Sequence, residues 1–244
     1  MQDEPTIRIA SLNLWGRFGS WERRLERLAE RWPELGADLL LVQEACLDRH
    51  GDQLLDLGEA LGLPERIAFY PHGCGEGVGV LSAHPLQEKR SRHLPGSGFP
   101  RVMVAVRLTR PFALEVIAAH LSFHPPADNA AQLEAVLEAA RAASGPVVAG
   151  GDFNIAAGAV EAAAPDFEHA LAGVAASWPV IELAELEAAW RERTGDGLPD
   201  DFDATPRRLD HLLGRGLASP KSGREIIEGF DHALVWADFK APRA

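Results

Sequence analysis

The stretch Pro146-Val147-Val148-Ala149-Gly150-Gly151-Asp152-Phe153-Asn154 is the part of the chain that says most about its fold. A short apolar run that follows Gly-Pro and ends in two glycines is typical of a buried strand that opens into a loop. Side chains alternate across a strand, so an extended course past the glycines would aim Asp152 and Asn154 at one spot beyond the sheet edge. The alternative is a turn motif in which these side chains bond only to their own backbone.

Other apolar runs also end in polar side chains. Three of them end in a carboxamide, a carboxylate and an imidazole, which belong to Asn13, Glu44 and His120. Nearer the C-terminus, an aspartate lies within a short apolar stretch and an Asp-His pair opens another. Burying such groups alone among aliphatic residues costs several kcal/mol. We therefore expect them to be partners of one another or of a metal ion.

In identity and order, these segments resemble the endonuclease/exonuclease/phosphatase superfamily, a group of metal-dependent phosphoesterases. The matching elements span nearly the whole chain and follow the family's order: Ser11-Leu12-Asn13, Val42-Gln43-Glu44, Gly77-Val78-Gly79-Val80-Leu81-Ser82, Ala119-His120-Leu121, Gly151-Asp152-Phe153-Asn154, Arg208-Leu209-Asp210 and Asp231-His232. The family usually has Ser before the Asp-His pair and Pro shortly after it, whereas here Phe230 precedes the pair and Ala233-Leu234-Val235 follows. These departures concern the local loop and leave the pair itself intact.

The resemblance implies an α/β fold, a four-layer sandwich of two packed mixed, mostly antiparallel β-sheets flanked by helices, with the catalytic groups where the ends of the sheets meet. At 244 residues the chain suits one such domain over residues 1–244. Cap, periodicity and stop signals predict a first helix with Ser20 as its cap and Pro33 after its end. They predict further helices from Gly51 to Leu61, Pro126 to Arg141 and Ile181 to Arg193. The irregular stretches 83–100 and 194–208 are predicted to be loops that frame the substrate.

The cofactor implied by the resemblance is Mg²⁺ or Mn²⁺. Magnesium prefers oxygen ligands and is typically held by one or two carboxylates together with waters and substrate oxygens. We expect Glu44 to be the main ligand, with Asn13 and Asp231 in support. The alternative for Glu44 is an exposed carboxylate at the end of a strand.

The catalytic groups implied by the resemblance are His120, Asp152, Asn154, Asp210 and His232. Asp152 is expected to align or deprotonate the attacking water, and Asn154 to orient that water or a phosphoryl oxygen. His232 would donate a hydrogen bond to the phosphoryl oxygens, with Asp210 fixing its ring. His120 would bind a nonbridging oxygen, although a lone histidine at a strand end is more often a core residue.

Arg101 and His211 are interpreted from their own side chains and sequence positions rather than from the family motifs. Arg101 is a candidate for substrate binding, because a guanidinium suits a phosphate. The alternative is a solvated basic loop that Arg101 shares with the lysine and arginines of residues 89–92. His211 follows Asp210 directly, so in an extended segment it should face away from the site.

Composition and charge narrow the classes of function. With 46% hydrophobic and 25% charged residues, the chain has the composition of a soluble globular protein. It contains no run of roughly 20 apolar residues, and Met1–Pro5 lacks the features of a secretion signal, which favours a cytoplasmic location. The net charge of −12 argues against tight binding of nucleic acid. Cys46 and Cys74 lack metal-ligand or disulfide spacing and are predicted to be buried, inert thiols.

The sequence therefore predicts a hydrolase that cleaves a phosphoester P–O bond by in-line attack of water, acting as a phosphodiesterase or phosphatase on a small or exposed phosphoester. The first alternative is a DNA or RNA nuclease. The second is a noncatalytic binding module of the same fold, against which the intact motif residues argue. No oligomeric state is predicted, and the identity of the substrate lies in the loops of a shared fold.

Overall fold

The computed structural model describes residues 4–71, 75–198 and 203–241. Its helices are α1 (Trp21–Leu35), α2 (Gln53–Leu61), α3 (Pro126–Arg141), α4 (Ala157–Ala163) and α5 (Leu183–Thr194). Its strands are β1 (Thr6–Asn13), β2 (Leu39–Asp48), β3 (Gly51–Asp52), β4 (Glu65–Phe69), β5 (Glu76–Ser82), β6 (Gln87–His93), β7 (Val102–Leu108), β8 (Leu114–His120), β9 (Val147–Asp152), β10 (Glu168–His169), β11 (Asp210–Arg215), β12 (Ala218–Glu225) and β13 (Leu234–Lys240).

The strands form two mixed sheets. The first has the order β12-β13-β1-β2-β5-β4, with β3 attached to β2, and the second has the order β10-β11-β9-β8-β7-β6. Within the described residues, β1–β2 and β8–β9 run parallel, and the other paired strands run antiparallel. The predicted α/β sandwich of two mostly antiparallel sheets with flanking helices is confirmed.

The central strands are apolar on both faces because both faces are covered. In β1, Ile9 belongs to the core between the two sheets, whereas Leu12 packs into the core under α1 and α2. In β9, Val148 faces the inter-sheet core and Val147 faces the core under α3 and α4. Strands that are buried on both sides carry continuous apolar runs, which is the pattern seen in the sequence.

The strand directions bring several chain segments to one end of the sandwich. The C-terminal end of β1 lies beside Gln43 of the parallel strand β2, and the start of the antiparallel β13 joins them. In the second sheet, the ends of β8 and β9 meet the start of β11, with Asp152 in register with both His120 and Asp210. The polar residues that end these strands therefore converge.

Two local predictions of secondary structure are wrong, one for the end of a helix and one for a stretch expected to be a loop. Helix α1 continues through Pro33 and ends at Gly36, which adopts φ +59° as its C-cap. Proline fits the first turn of a helix best, so its position suggested a stop, but packing of Trp32 and Leu35 into the core carries the helix on. The predicted loop at 83–100 contains strand β6, an edge strand whose polar side chains are mostly exposed and give no apolar alternation.

Two expectations from composition concern the membrane and the thiols. Among the described residues, no helix is both long and apolar enough to cross a bilayer. Cys46 is a free, half-buried thiol, and burial raises its pKa to about 11, so it is poorly reactive. Cys74 lies outside the described residues.

Candidate active site

All nine residues predicted for the site meet at the end of the sandwich where the strand ends converge. Seven of them line one cavity of about 340 Å³: Glu44, Arg101, His120, Asp152, Asn154, Asp231 and His232. The other two lie directly behind the cavity wall. Asn13 hydrogen-bonds to Glu44 and Asp152, and Asp210 hydrogen-bonds to His232.

Glu44 owes its position to a bulge rather than to the end of a strand. Strand β2 continues to Asp48, and its register with β5 shifts between Val42 and Ala45. Glu44 occupies this irregularity with φ +53°, a left-handed conformation that is uncommon for a non-glycine residue. A bulge re-aims a side chain locally, and here it aims the carboxylate of Glu44 into the cavity.

Asn13 connects the two carboxylates on the floor of the site. Its Nδ2 donates to Oε1 of Glu44 at 3.2 Å and to Oδ2 of Asp152 at 3.0 Å. Its Oδ1 accepts the backbone N–H of Trp15 at 2.9 Å. An amide oxygen has two lone pairs, so the ligand role expected of Asn13 requires the second one and stays a prediction.

The chain turns directly after Asp152, so the extended course considered for Asp152 and Asn154 does not persist. Oδ1 of Asp152 accepts the backbone N–H of Asn154 at 2.9 Å, and Asn154 adopts φ +51°. The turn alternative is therefore correct for the backbone, but Oδ2 of Asp152 still points at Asn13, His120 and His232. Burial raises the pKa of Asp152 well above its usual range, and the Asp210 carboxylate raises it further against the opposing effect of His232.

Asp210 and His232 form a buried pair. Nδ1 of His232 donates to Oδ2 of Asp210 at 2.9 Å, and Nε2 lies 3.7 Å from Oδ2 of Asp152. Burial by itself lowers the pKa of His232, but the carboxylates of Asp210, Asp231 and Asp152 together raise it well above the ordinary value. His232 is therefore a charged hydrogen-bond donor at neutral pH.

His120 is held from both sides of its ring. Nη1 of Arg101 lies 2.9 Å from Nδ1 of His120, and a guanidinium can only donate, so Nδ1 is the acceptor and Nε2 carries the ring proton. Nε2 lies 3.5 Å from Oδ2 of Asp152 and 3.4 Å from Nδ2 of Asn154. Arg101 thus lines the cavity while orienting His120, and its predicted contact with substrate stays a prediction.

The neighbouring basic residues and His211 lie elsewhere. Lys89 and Arg90 are exposed on the edge strand β6 and do not line the cavity. His211 faces away from the site, as predicted: its ring stacks on Phe153 at 5.3 Å, and its Nε2 lies 2.9 Å from the carbonyl oxygen of Ile155.

The surroundings of the Asp231 carboxylate are suited to binding a metal ion. It is buried, and among the described residues no hydrogen-bond donor contacts its Oδ1. Burial raises the pKa of Asp231 to about 6, and the Glu44 carboxylate raises it as well, against the opposing effect of His232. A buried carboxylate oxygen beside a second carboxylate is suited to a hard cation.

The described residues hold no group of three His, Cys, Asp and Glu side chains arranged to hold a metal ion. A magnesium site with one or two carboxylates completed by water does not need three such groups. Glu44 and Asp231 supply two carboxylates at the cavity wall, and the amide oxygen of Asn13 lies behind them.

Sequence reasoning missed two residues that organise the site. Trp178 hydrogen-bonds to Asp231, and its ring lies 6.3 Å from that of His232. Arg24 is buried under the loop that follows β1 and donates to the carbonyl oxygens of Leu14, Gly16 and Phe18. Its position on the apolar stripe of α1 is a signal that the pattern contained.

An α/β sandwich that gathers carboxylates, an amide and two histidines at the converging ends of its strands has the architecture of a phosphoester hydrolase. The chain belongs to the Endonuclease/Exonuclease/phosphatase family, whose model matches residues 10–236. The three activities in the family's name share the hydrolysis of phosphoester bonds.

Solved structures confirm the fold. An endonuclease/exonuclease/phosphatase from Beutenbergia cavernae matches with a TM-score of 0.72 and 20% identity, over 98% of this chain and 72% of that one. TDP2 from Caenorhabditis elegans matches with a TM-score of 0.72 and 19% identity, over 97% of this chain and 74% of that one. A conserved protein of unknown function from Enterococcus faecalis matches with a TM-score of 0.71 and 17% identity, over 96% of this chain and 100% of that one. A comparison with curated proteins finds no significant match.

Proposed function

We propose that this protein is a Mg²⁺- or Mn²⁺-dependent hydrolase that cleaves a phosphoester P–O bond by in-line attack of water. The observation that carries the proposal is the convergence of Glu44, Asp152, Asp231 and the Asp210–His232 pair on one cavity. General-base, cationic-donor and metal-binding groups within reach of one phosphoryl group are what this reaction needs.

Glu44 and Asp231 are the proposed metal ligands, with Asn13 in support. The bound ion would supply Lewis-acid stabilisation of charge that develops on the phosphoryl oxygens. The buried Oδ1 of Asp231 supports this assignment, because a buried carboxylate oxygen that no described donor contacts is costly unless an ion compensates it.

The remaining groups act on the water and on the phosphoryl oxygens. Asp152 accepts a proton from the attacking water, and its raised pKa makes it a stronger base than an exposed aspartate. Asn154, on the cavity wall beside it, orients the water or a phosphoryl oxygen. His232, charged and fixed by Asp210, donates to the oxygens that gain charge, and His120 donates through its Nε2–H.

A small or exposed phosphoester is the proposed substrate class. Arg101 is the one Lys or Arg side chain among the described residues that line the cavity, and it already contacts His120. A nuclease that grips a long backbone needs several phosphate contacts. The net charge of −12 also disfavours tight binding of a nucleic-acid backbone.

The proposal is tested by a hydrolysis screen with Mg²⁺ or Mn²⁺ over phosphomonoesters, phosphodiesters, nucleic acids and lipid headgroup esters. The decisive pair is plasmid DNA and bis-p-nitrophenyl phosphate, with kcat/KM measured over a range of salt concentrations. We expect turnover of the small diester with a shallow dependence on salt. Efficient, steeply salt-dependent nicking of plasmid with negligible turnover of the small ester would make the protein a nuclease instead.

A further inference from the structure

The wall of the cavity above the catalytic groups is built mainly from aromatic rings. Three of the chain's six tryptophans and three of its ten phenylalanines line it: Trp15, Phe18, Phe99, Phe123, Trp178 and Trp190. They come from the loop after β1, the segment before β7, the loop after β8, the segment between β10 and α5, and helix α5 itself. Convergence of rings from five separate segments indicates a formed surface rather than a chance neighbour pair.

Part of this surface is left open to solvent. Phe99 and Phe123 are 45% and 55% exposed, and both stand at a cavity with charged groups at its floor. Large apolar side chains that face water beside a polar cavity mark a binding surface in a soluble protein.

Other rings of this surface are held in place. The backbone N–H of Trp15 donates to Asn13, and the loop that carries Trp15 and Phe18 is fixed by the guanidinium of Arg24. Trp178 is buried, packs with Leu186 and hydrogen-bonds to Asp231. A fixed set of rings can bind a flat ligand group with little loss of side-chain freedom.

The balance of charge excludes a polyanion as the occupant. The floor of the cavity is acidic, and its one guanidinium is engaged with His120. Aromatic faces attract planar π-systems, and stacking is worth about 1–3 kcal/mol for each nucleobase, which is on the order of tenfold in affinity.

We propose that the six rings form a subsite for a planar aromatic group carried on the phosphoester substrate, within a few bonds of the phosphorus. This inference rests on the proposed function and narrows its substrate class to esters that bear a nucleobase or another aryl group. One ring of the substrate stacks in the subsite while its phosphoryl group reaches Asp152 and His232.

Binding of phosphonates, which cannot be hydrolysed, tests the subsite separately from catalysis. Calorimetric titrations in Mg²⁺ compare phenylphosphonate with cyclohexylphosphonate, which has a similar volume but no flat π-face. A nucleoside 5′-phosphonate and the same sugar phosphonate without its base form the second arm. We expect the aromatic member to bind on the order of tenfold more tightly in at least one arm, and the arm that discriminates more strongly identifies the source of the ring.

Substitutions in α5 test whether the preference for aromatic phosphonates arises from these rings. Trp190→Ala should remove most of the difference in affinity between aromatic and non-aromatic phosphonates, and Trp190→Phe should restore part of it. Thermal unfolding is measured for each variant to check that it is folded. Leu183→Ala is the matched control, because Leu183 is an exposed apolar residue of the same helix that does not line the cavity.

Equal affinities within both arms, or no binding by any of the four compounds, would overturn the subsite. So would an aromatic preference that survives unchanged in folded Trp190→Ala and Phe123→Ala variants. Failure of the proposed function gives a different pattern, in which the aromatic compounds bind preferentially but no phosphoester is hydrolysed in the substrate screen.

Discussion

At the scale of single residues, the site is a cluster of buried ionisable groups in which carboxylates outnumber cationic side chains. The carboxylates of Asp152, Asp210 and Asp231 surround the charged ring of His232, and the Glu44 carboxylate acts on Asp231. Burial raises the pKa of Asp152 and of Asp231, and both carboxylates line the cavity. A divalent cation is the group that would relieve such an excess of negative charge.

The pairing of Asp210 with His232 predicts non-additive losses of activity. Asp210→Asn should lower kcat by about 10²-fold or more, because it removes the negative charge that favours the protonated ring and leaves only an uncharged amide oxygen as the acceptor. His232→Ala should lower kcat at least as much, and the double variant should lose little more than His232→Ala alone. The measurement is a double-mutant cycle on kcat, and additive losses would mean that the two residues act independently.

His211 predicts a dependence of stability on pH that has no link to catalysis. Burial lowers the pKa of His211 from 6.5 to about 4, so the folded protein binds fewer protons than the unfolded chain between these values. The contribution of neutral His211 to the free energy of unfolding is fully present above pH 6.5. It is lost as the pH falls toward 4, and the total loss is about 3 kcal/mol. Urea unfolding of wild type and His211→Gln over this range should show a steeper loss in wild type.

The matched control for His211 is His50→Gln, at an exposed histidine. This variant should keep the wild-type slope of the unfolding free energy against pH. An identical slope in His211→Gln and wild type would contradict the burial of a neutral imidazole.

At the scale of secondary-structure elements, the presence of four of the five described helices and the bounds of one of them are predictable from sequence. Helix α3 has the predicted bounds, because Pro126 at its start and the Ser144-Gly145-Pro146 signal after its end act locally. The local geometry around Glu44 and Asn154 is not predictable in this way. Glu44 is set by a bulge against β5, which is distant in the chain. Asn154 is set by a left-handed turn and by its hydrogen bond to the carbonyl oxygen of Leu121, which is also distant in the chain.

The close approach of β9 to β8 predicts a strong effect at one glycine. Gly151 has φ +135°, and a Cβ there would lie 2.0 Å from the carbonyl oxygen of Ala119, so Gly151→Ala should destabilise the fold by about 3 kcal/mol or more. Gly145→Ala is the control, because a Cβ at that position meets no atom within 4 Å. Equal unfolding midpoints of the two variants would contradict the strand register on which the position of Asp152 depends.

At the scale of the whole molecule, the two sheets serve to bring distant motifs to one cavity. The motif residues between Asn13 and His232 span most of the chain, and their convergence follows from two parallel strand pairs and the antiparallel strands beside them. The resemblance of these motifs to the family, in its order along the sequence, predicts this convergence. The aromatic wall is not predictable from the sequence pattern, because its rings come from loops and a helix whose positions depend on the completed sandwich.

We propose that Glu44, at the bulge of β2, holds a divalent cation that catalysis requires. Glu44→Gln preserves the shape of the side chain and removes its charge, so the fold should persist while the affinity for Mg²⁺ falls. The most direct measurement is kcat/KM for a phosphodiester as a function of Mg²⁺ concentration, in wild type and in Glu44→Gln. We expect wild-type activity to be lost in excess chelator and to recover with added Mg²⁺. We expect Glu44→Gln to be less active by about 10²-fold or more and to require a higher Mg²⁺ concentration. Full turnover by Glu44→Gln, or by the wild-type enzyme in excess chelator, would contradict it.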